Sequence, residues 1–316
     1  MKGMKEIMDA MEELGVPSKD PTDLPKSKKS FPDGCQYRME ISGLERLSTL
    51  EALIEEREER GVPIHRLIST VMGSTLLTDD ELKKFAQAAA EADMEVIITP
   101  GPRASWNTGR QIATPEGALS GLRVRGSDNI VYAFKDIKRC IDFGFRGFLV
   151  TDEGVLWMAN ELKKLGLIPK DVTFKVSIYA GHANAAGGKV LENLGAGTFN
   201  PVGDLSIPMF ASIRQAIDIP IDIHIYLADS MGGFNRFYEA PDLARVAAPC
   251  YFKIEPGYGL AAGAGMYKPW VDPGFLANFA REKVKYAEII HNIIQDEYPE
   301  LKLSKHGAKD LCIPKP

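Results

Sequence analysis

Eight short β-type segments recur along this chain, and nearly all are followed by a segment of helical periodicity. In order they are Tyr37–Ser42, Arg66–Thr70, Glu95–Thr99, Gly147–Thr151, Thr173–Tyr179, Gly197–Asn200, Ile221–Tyr226 and Pro249–Glu255. Strands that alternate with helix patterns indicate βα units and a parallel sheet. Eight such units point to a closed (β/α)8 barrel, the TIM barrel, rather than an open sheet. At 316 residues the chain has room for one such barrel of roughly 250 residues and an extension. Sites in these barrels sit where the strands end, so the residues there can be read directly.

The extension is residues 1–34, and the barrel domain is residues 35–316. Met4, Ile7, Met8, Met11 and Leu14 fall on one helical face, and Gly15–Pro32 reads as a linker. Two roles are open for this N-terminal helix: plugging the bottom of the barrel or making a homo-oligomer contact. Thr78 with Glu81 three residues on is a capping box. The stretch from Pro100 to about Ser127 is too long for a simple connection, and loops of that length are usually functional. The last helix is expected over Pro273–Glu297, with a polar surface tail after Tyr298.

A net charge of −5 and a pI near 5.7 give no basic footprint for nucleic acid. No apolar run approaches the roughly 18 residues of a membrane span. The N-terminus leads into an acidic amphipathic stretch, not an apolar signal core, so a cytoplasmic location is expected. Cys35, Cys140, Cys250 and Cys312 are far apart and form no CxxC pair, so no iron–sulfur cluster or structural zinc is expected.

Side chains alternate along a strand, so one register faces the lumen and the other the helices. One register here is polar: Arg38, Glu40 and Ser42; Thr173, Lys175, Ser177 and Tyr179; Asp222, His224 and Tyr226; Lys253 and Glu255. Its partner is apolar: Met39 and Ile41; Phe174, Val176 and Ile178; Ile223 and Ile225; Phe252 and Ile254. The apolar register must face the helices, which leaves charges in the lumen. Buried charges cost several kcal/mol each unless paired, so a barrel built only for stability has no need of them. Glu40, Lys175, His224, Lys253 and Glu255 are the expected catalytic set. His224 suits acid/base work. Lys175 and Lys253 are read as anchors for an anion, with a Schiff base as the rival role.

Around them, Asp152, Tyr179, His182, Asn200 and Tyr226 are expected to contact substrate. Arg103 and Arg110, flanking Trp106, offer forks for carboxylate or phosphate. Glu40, Asp152, His224 and Glu255 could also ligate Mg²⁺, Mn²⁺ or Zn²⁺, although no HxH or HExxH spacing is present.

The stretches Phe31–Gly43 (FPDGCQYRMEISG), Leu76–Leu82 (LLTDDEL), Gly101–Gln111 (GPRASWNTGRQ), Gly126–Gly154 and Asp204–Leu205 resemble bacterial TIM-barrel proteins labelled peptidase U32-like. The resemblance spans most of residues 31–255 and implies the barrel fold. The clustered cysteines of U32 proteins are absent, and no catalytic residue is carried over. The expected function is an enzyme acting on a small anionic metabolite, a carboxylate or phosphate, by general acid/base chemistry at the barrel mouth. A lyase (aldolase-like) or isomerase fits one base beside a cationic anchor. The alternatives are a metal-dependent or U32-like hydrolase and a non-catalytic metabolite-binding barrel.

Overall fold

The computed structural model describes residues 2–71, 73–101, 122–228, 232–255 and 270–316. Its elements run α1 (Lys2–Glu13), β1 (Tyr37–Ser42), α2 (Leu47–Arg60), β2 (Arg66–Ser69), α3 (Asp79–Glu91), β3 (Glu95–Ile98), α4 (Gly126–Asp142), β4 (Gly147–Val150), α5 (Glu153–Lys164) and β5 (Thr173–Val176). They continue with α6 (Ala185–Asn193), β6 (Thr198–Phe199), α7 (Ile207–Ala216), β7 (Ile221–Leu227), β8 (Phe234–Asn235), α8 (Ala240–Ala247), β9 (Cys250–Glu255) and α9 (Pro273–Glu297). Strands β1 to β7 and β9 pair in parallel around a circle, β6 joining β7 and β9 closing onto β1. The fold is therefore a closed eight-stranded barrel. Short β8 lies outside that circle, antiparallel to the end of β7.

The outward register packs as expected. Met39, Ile41, Val96, Ile98, Phe148, Phe174, Phe199, Ile223, Phe252 and Ile254 join the apolar faces of the helices in one continuous core. The helix ends obey local chemistry. Thr78 Oγ1 accepts from Glu81 N at 3.3 Å while Glu81 Oε2 accepts from Thr78 N at 2.8 Å, completing the capping box of α3. Gly61 closes α2 at φ 64°, a left-handed conformation that glycine adopts without strain.

The lumen itself is divided. Ile68, Ile97 and Leu149, in the inward register of β2, β3 and β4, form a second apolar cluster with Val71 and Leu122. The charged side chains come mainly from β1, β5, β7 and β9.

Two expectations about the ends of the chain change. Helix α1 does not plug the barrel: its Met4 and Ile7, and Leu14 just after it, are exposed. The tail after Tyr298 is not a surface strand. Leu303 bridges to Tyr37, Gln36 N donates to Lys302 O at 2.9 Å, and Ser304 is buried. Arg38 Nη1 and Nη2 donate to the two Asp310 carboxylate oxygens at 2.8 Å each, with Phe31 stacked 3.8 Å from the guanidinium carbon. His65 Nε2 meets Ser304 O at 2.8 Å. The N-terminal ends of the strands carry buried Arg38 and His65, which need partners, and the tail supplies them. Among the described residues no helix is long and apolar enough to cross a membrane.

Candidate active site

The lower tier of the lumen is a closed network of charges. Arg66, from β2, donates through Nε to Glu95 Oε2 at 3.0 Å and through Nη1 to Asp222 Oδ1 at 2.9 Å and Glu40 Oε2 at 3.3 Å. Its guanidinium lies 3.5 Å from the Tyr251 ring centre. Lys175 Nζ sits 2.6 Å from Asp222 Oδ2 and 3.0 Å from Glu40 Oε2. Thr198 Oγ1 donates to Asp222 Oδ2 at 2.7 Å. Burial alone would raise the Glu40 carboxyl, but Lys175, Arg66 and Lys253 together hold it below the usual carboxylate range. Burial also pulls Lys175 downward, against Asp222 and Glu40, which hold it up. The two directions compete over one ion pair. With two carboxylates within 3.0 Å of Nζ, the pair is ionised.

Above it, Glu255 ends β9, and its Oε2 lies 2.8 Å from Nε2 of His224, in the middle of β7, and 3.0 Å from Nζ of Lys253. Asn200 Nδ2 is 3.1 Å from His224 Nδ1. The amide nitrogen must point this way, because it also donates to Asp222 O at 2.9 Å and Pro201 O at 3.2 Å. Nδ1 is then the acceptor and Nε2 carries the proton, an assignment made from the network. Burial, and then Lys253, lower the His224 pKa against the pull of Glu255, so the imidazole is neutral at pH 7.

A third group stands at the rim. Glu153, the first residue of α5, accepts from His182 Nε2 at 2.7 Å and from Nη1 and Nη2 of Arg123. Burial raises the Glu153 carboxyl, but the bonds from Arg123 and His182 bring it below its usual value.

The expected site residues therefore separate. Glu40, Lys175, His224, Lys253, Glu255 and Asn200 converge in the lumen, and His182 stands at the mouth. Tyr179 lies in a 3-10 turn after β5, not on the strand, and packs against the inner apolar cluster. Tyr226 is turned out. The pairing of β7 with β9 shifts between His224 and Tyr226, a bulge that inverts the alternation. Tyr226 consequently packs on Phe237 and Tyr286, with ring centres 6.1 and 5.2 Å away. Asp152 Oδ1 accepts from Gly154 N and Val155 N, so this carboxylate caps α5. Among the described residues no group of three or more His, Cys, Asp or Glu side chains is arranged to hold a metal. Arg103, Trp106 and Arg110 lie outside the described residues.

The buried charges that were not anticipated include Arg66, Glu95 and Lys283. Arg66 and Glu95 share their inward register with Ile68 and Ile97, which masks the polarity of four-residue strands. Lys283 lies on the buried stripe of α9 with Leu276, Ala280, Val284 and Ala287, and a lysine on such a stripe is the signal that could have found it. Its Nζ donates to Ser42 O at 2.5 Å, and burial pulls its pKa to about 7 against Glu45 and Glu255.

No family model matches the sequence, and no curated protein matches it. Solved structures do resemble it. A candidate fructose-1,6-biphosphate aldolase from Coccidioides immitis superposes with a TM-score of 0.48 at 12% identity, over 84% of this chain and 92% of that one. A D-psicose 3-epimerase from Clostridium cellulolyticum gives 0.45 at 11%, over 81% and 99%. A U32 peptidase gives 0.43 at 15%, over 76% and 99%. No activity is carried over from these likenesses.

Proposed function

We propose that this barrel is a lyase or isomerase that moves a proton beside the carbonyl of a small anionic metabolite, with Glu255 as the acid/base group. The observation that supports this reading best is the convergence of His224 Nε2 and Lys253 Nζ on Glu255 Oε2, at 2.8 and 3.0 Å, where β9 ends. A carboxylate held from two sides has a fixed direction for proton transfer. It takes the proton from carbon. The C–H electrons form the new double bond and the carbonyl electrons move onto oxygen, where Lys253 stabilises the developing charge. Neutral His224 positions the carboxylate. Reprotonation of the carbon gives isomerisation. In the lyase outcome Glu255 takes the proton of a β-hydroxyl instead, the hydroxyl-bearing carbon leaves as an aldehyde as the C–C electrons pass into the enolate, and Glu255 returns the proton to the enolate carbon.

The two lysines take different parts. Lys175 is fully buried between Glu40 and Asp222, which suits a fixed counter-charge and disfavours attack on a carbonyl. The anionic end of the substrate is assigned to Arg103 and Arg110, which follow β3 in sequence.

The test is solvent exchange. The protein is incubated in D2O with 2-oxo acids, aldonic acids and sugar phosphates, and carbon-bound deuterium is read by NMR. Glu255→Gln is expected to lower exchange about 10²- to 10⁴-fold. Exchange that survives this substitution intact rejects the assignment.

A further inference from the structure

Four polar atoms in lumen-facing positions have no hydrogen-bond partner among the described residues: Glu40 Oε1, Ser42 Oγ, Thr99 Oγ1 and Asn200 Oδ1. Their residues are at most 3% exposed. Glu40 and Ser42 share the inward register of β1. Thr99 extends the inward register of Glu95 and Ile97 past the end of β3, and Asn200 extends that of Thr198 past β6. Buried polar atoms are almost always hydrogen-bonded, so four of them around one lumen mark a place where a ligand bonds.

The chemistry of the set is one-sided. Glu40 Oε1 and Asn200 Oδ1 only accept, while the two hydroxyls accept or donate. The field has the same bias. Arg66, Lys175 and Lys253 face Glu40, Glu95, Asp222 and Glu255, leaving the lumen one unit negative with His224 neutral. A carboxylate or phosphate placed here would meet a carboxylate oxygen with no proton to share. Ligand hydroxyls would satisfy all four atoms. Ile68, Ile97 and Leu149, on β2, β3 and β4, give the lumen an apolar wall fit for C–H groups.

We infer that the part of the substrate inside the lumen is a neutral, polyhydroxylated carbon chain or ring, its hydroxyls on Glu40, Ser42, Thr99 and Asn200 and its C–H face on the apolar wall. This deepens the acid/base reading and rests on it for the position of the reacting carbon. The anionic group then stays at the mouth.

Full-length protein is titrated with ribitol, glutarate or inorganic phosphate, and binding is followed by saturation-transfer NMR. Ribitol is expected to bind at least about tenfold more tightly than glutarate. Ser42→Ala and Thr99→Val should each weaken ribitol about 3- to 10-fold, the loss of one hydrogen bond, with melting midpoints showing that both variants fold. Tyr226→Phe, whose ring packs outside the lumen on Phe237 and Tyr286, should bind ribitol as the wild type does. Three results overturn the inference: no ribitol binding, ribitol binding that neither variant changes, or glutarate or phosphate taking the site with the same sensitivity to both variants. Ribitol binding without Glu255-dependent exchange on any carbonyl compound sinks the acid/base reading alone. Glu255-dependent exchange on a hydroxyl-free 2-oxo acid, with no ribitol binding, sinks this inference alone.

Discussion

Replacing Lys175 with Met removes the cation that Glu40 and Asp222 share at 3.0 and 2.6 Å. Met is flexible and fills irregular core space, so the loss is chiefly electrostatic. Removing one partner from a buried ion network costs about 3–5 kcal/mol, because the remaining charges lose their compensation. Lys175 is also the largest attraction holding the Glu40 carboxyl below its usual range. Without it burial dominates, and the folded pKa of Glu40 rises above the unfolded value of about 4.3. A carboxyl with a raised folded pKa keeps a proton that the unfolded chain has released, so stability falls as pH climbs through that window. In the wild type the folded pKa is depressed, and stability falls only as pH drops below the unfolded value. The penalty of Lys175→Met is therefore largest at neutral pH and shrinks toward pH 5. At about 2 °C per kcal/mol for a chain of this size, the melting midpoint should fall by roughly 6–10 °C at pH 7.5. The assay is thermal unfolding followed by circular dichroism at pH 5 and 7.5. A drop below about 2 °C, or the same drop at both pH values, would refute the argument.

Lys283 gives the opposite dependence. Its pKa falls from 10.5 to about 7 on folding, so the unfolded chain binds the extra proton between those values and wild-type stability rises across that window. Lys283→Met should flatten the rise, and parallel curves for the two proteins in urea titrations from pH 7 to 9.5 would count against it. Tyr226→Phe should leave exchange activity unchanged, since the ring packs on Phe237 and Tyr286; a loss of more than about tenfold would return this residue to the site. Asp152→Ala should destabilise the fold by about 1 kcal/mol through loss of the α5 cap. A stability loss that appears only when added Mg²⁺, Mn²⁺ or Zn²⁺ is present would assign Asp152 to a metal instead.

Much of this was legible because alternation along a strand is a strong signal. It placed Glu40, Lys175, Asp222, His224, Lys253 and Glu255 inside before any contact was known. It failed at Tyr226 because a bulge shifts the count by one, and nothing in Ile-Asp-Ile-His-Ile-Tyr-Leu marks where. It missed Arg66 and Glu95 because their strands are four residues long and alternate a charge with an isoleucine. Asp152 was ambiguous for a different reason: an aspartate before a helix is equally the residue type of a cap and of a ligand. The roles of Asp310 and Ser304 lie beyond local pattern, since their partners are Arg38 in the first strand and His65 just before the second.

That last pairing has a consequence for the timing of assembly. Arg38 and Asp310 are 272 residues apart in the chain. At the roughly 5–20 residues per second of protein synthesis, some 15–50 s separate the emergence of one from the other. β1 has no β9 beside it until Glu255 has been made, and no tail beneath it for the whole interval. The N-terminal end of the barrel is completed only once Asp310 has been made; before β9 appears the first strand presents an unpaired edge, and until the tail docks Arg38 has Asp33, 3.5 Å away, but not the two-oxygen clasp of Asp310.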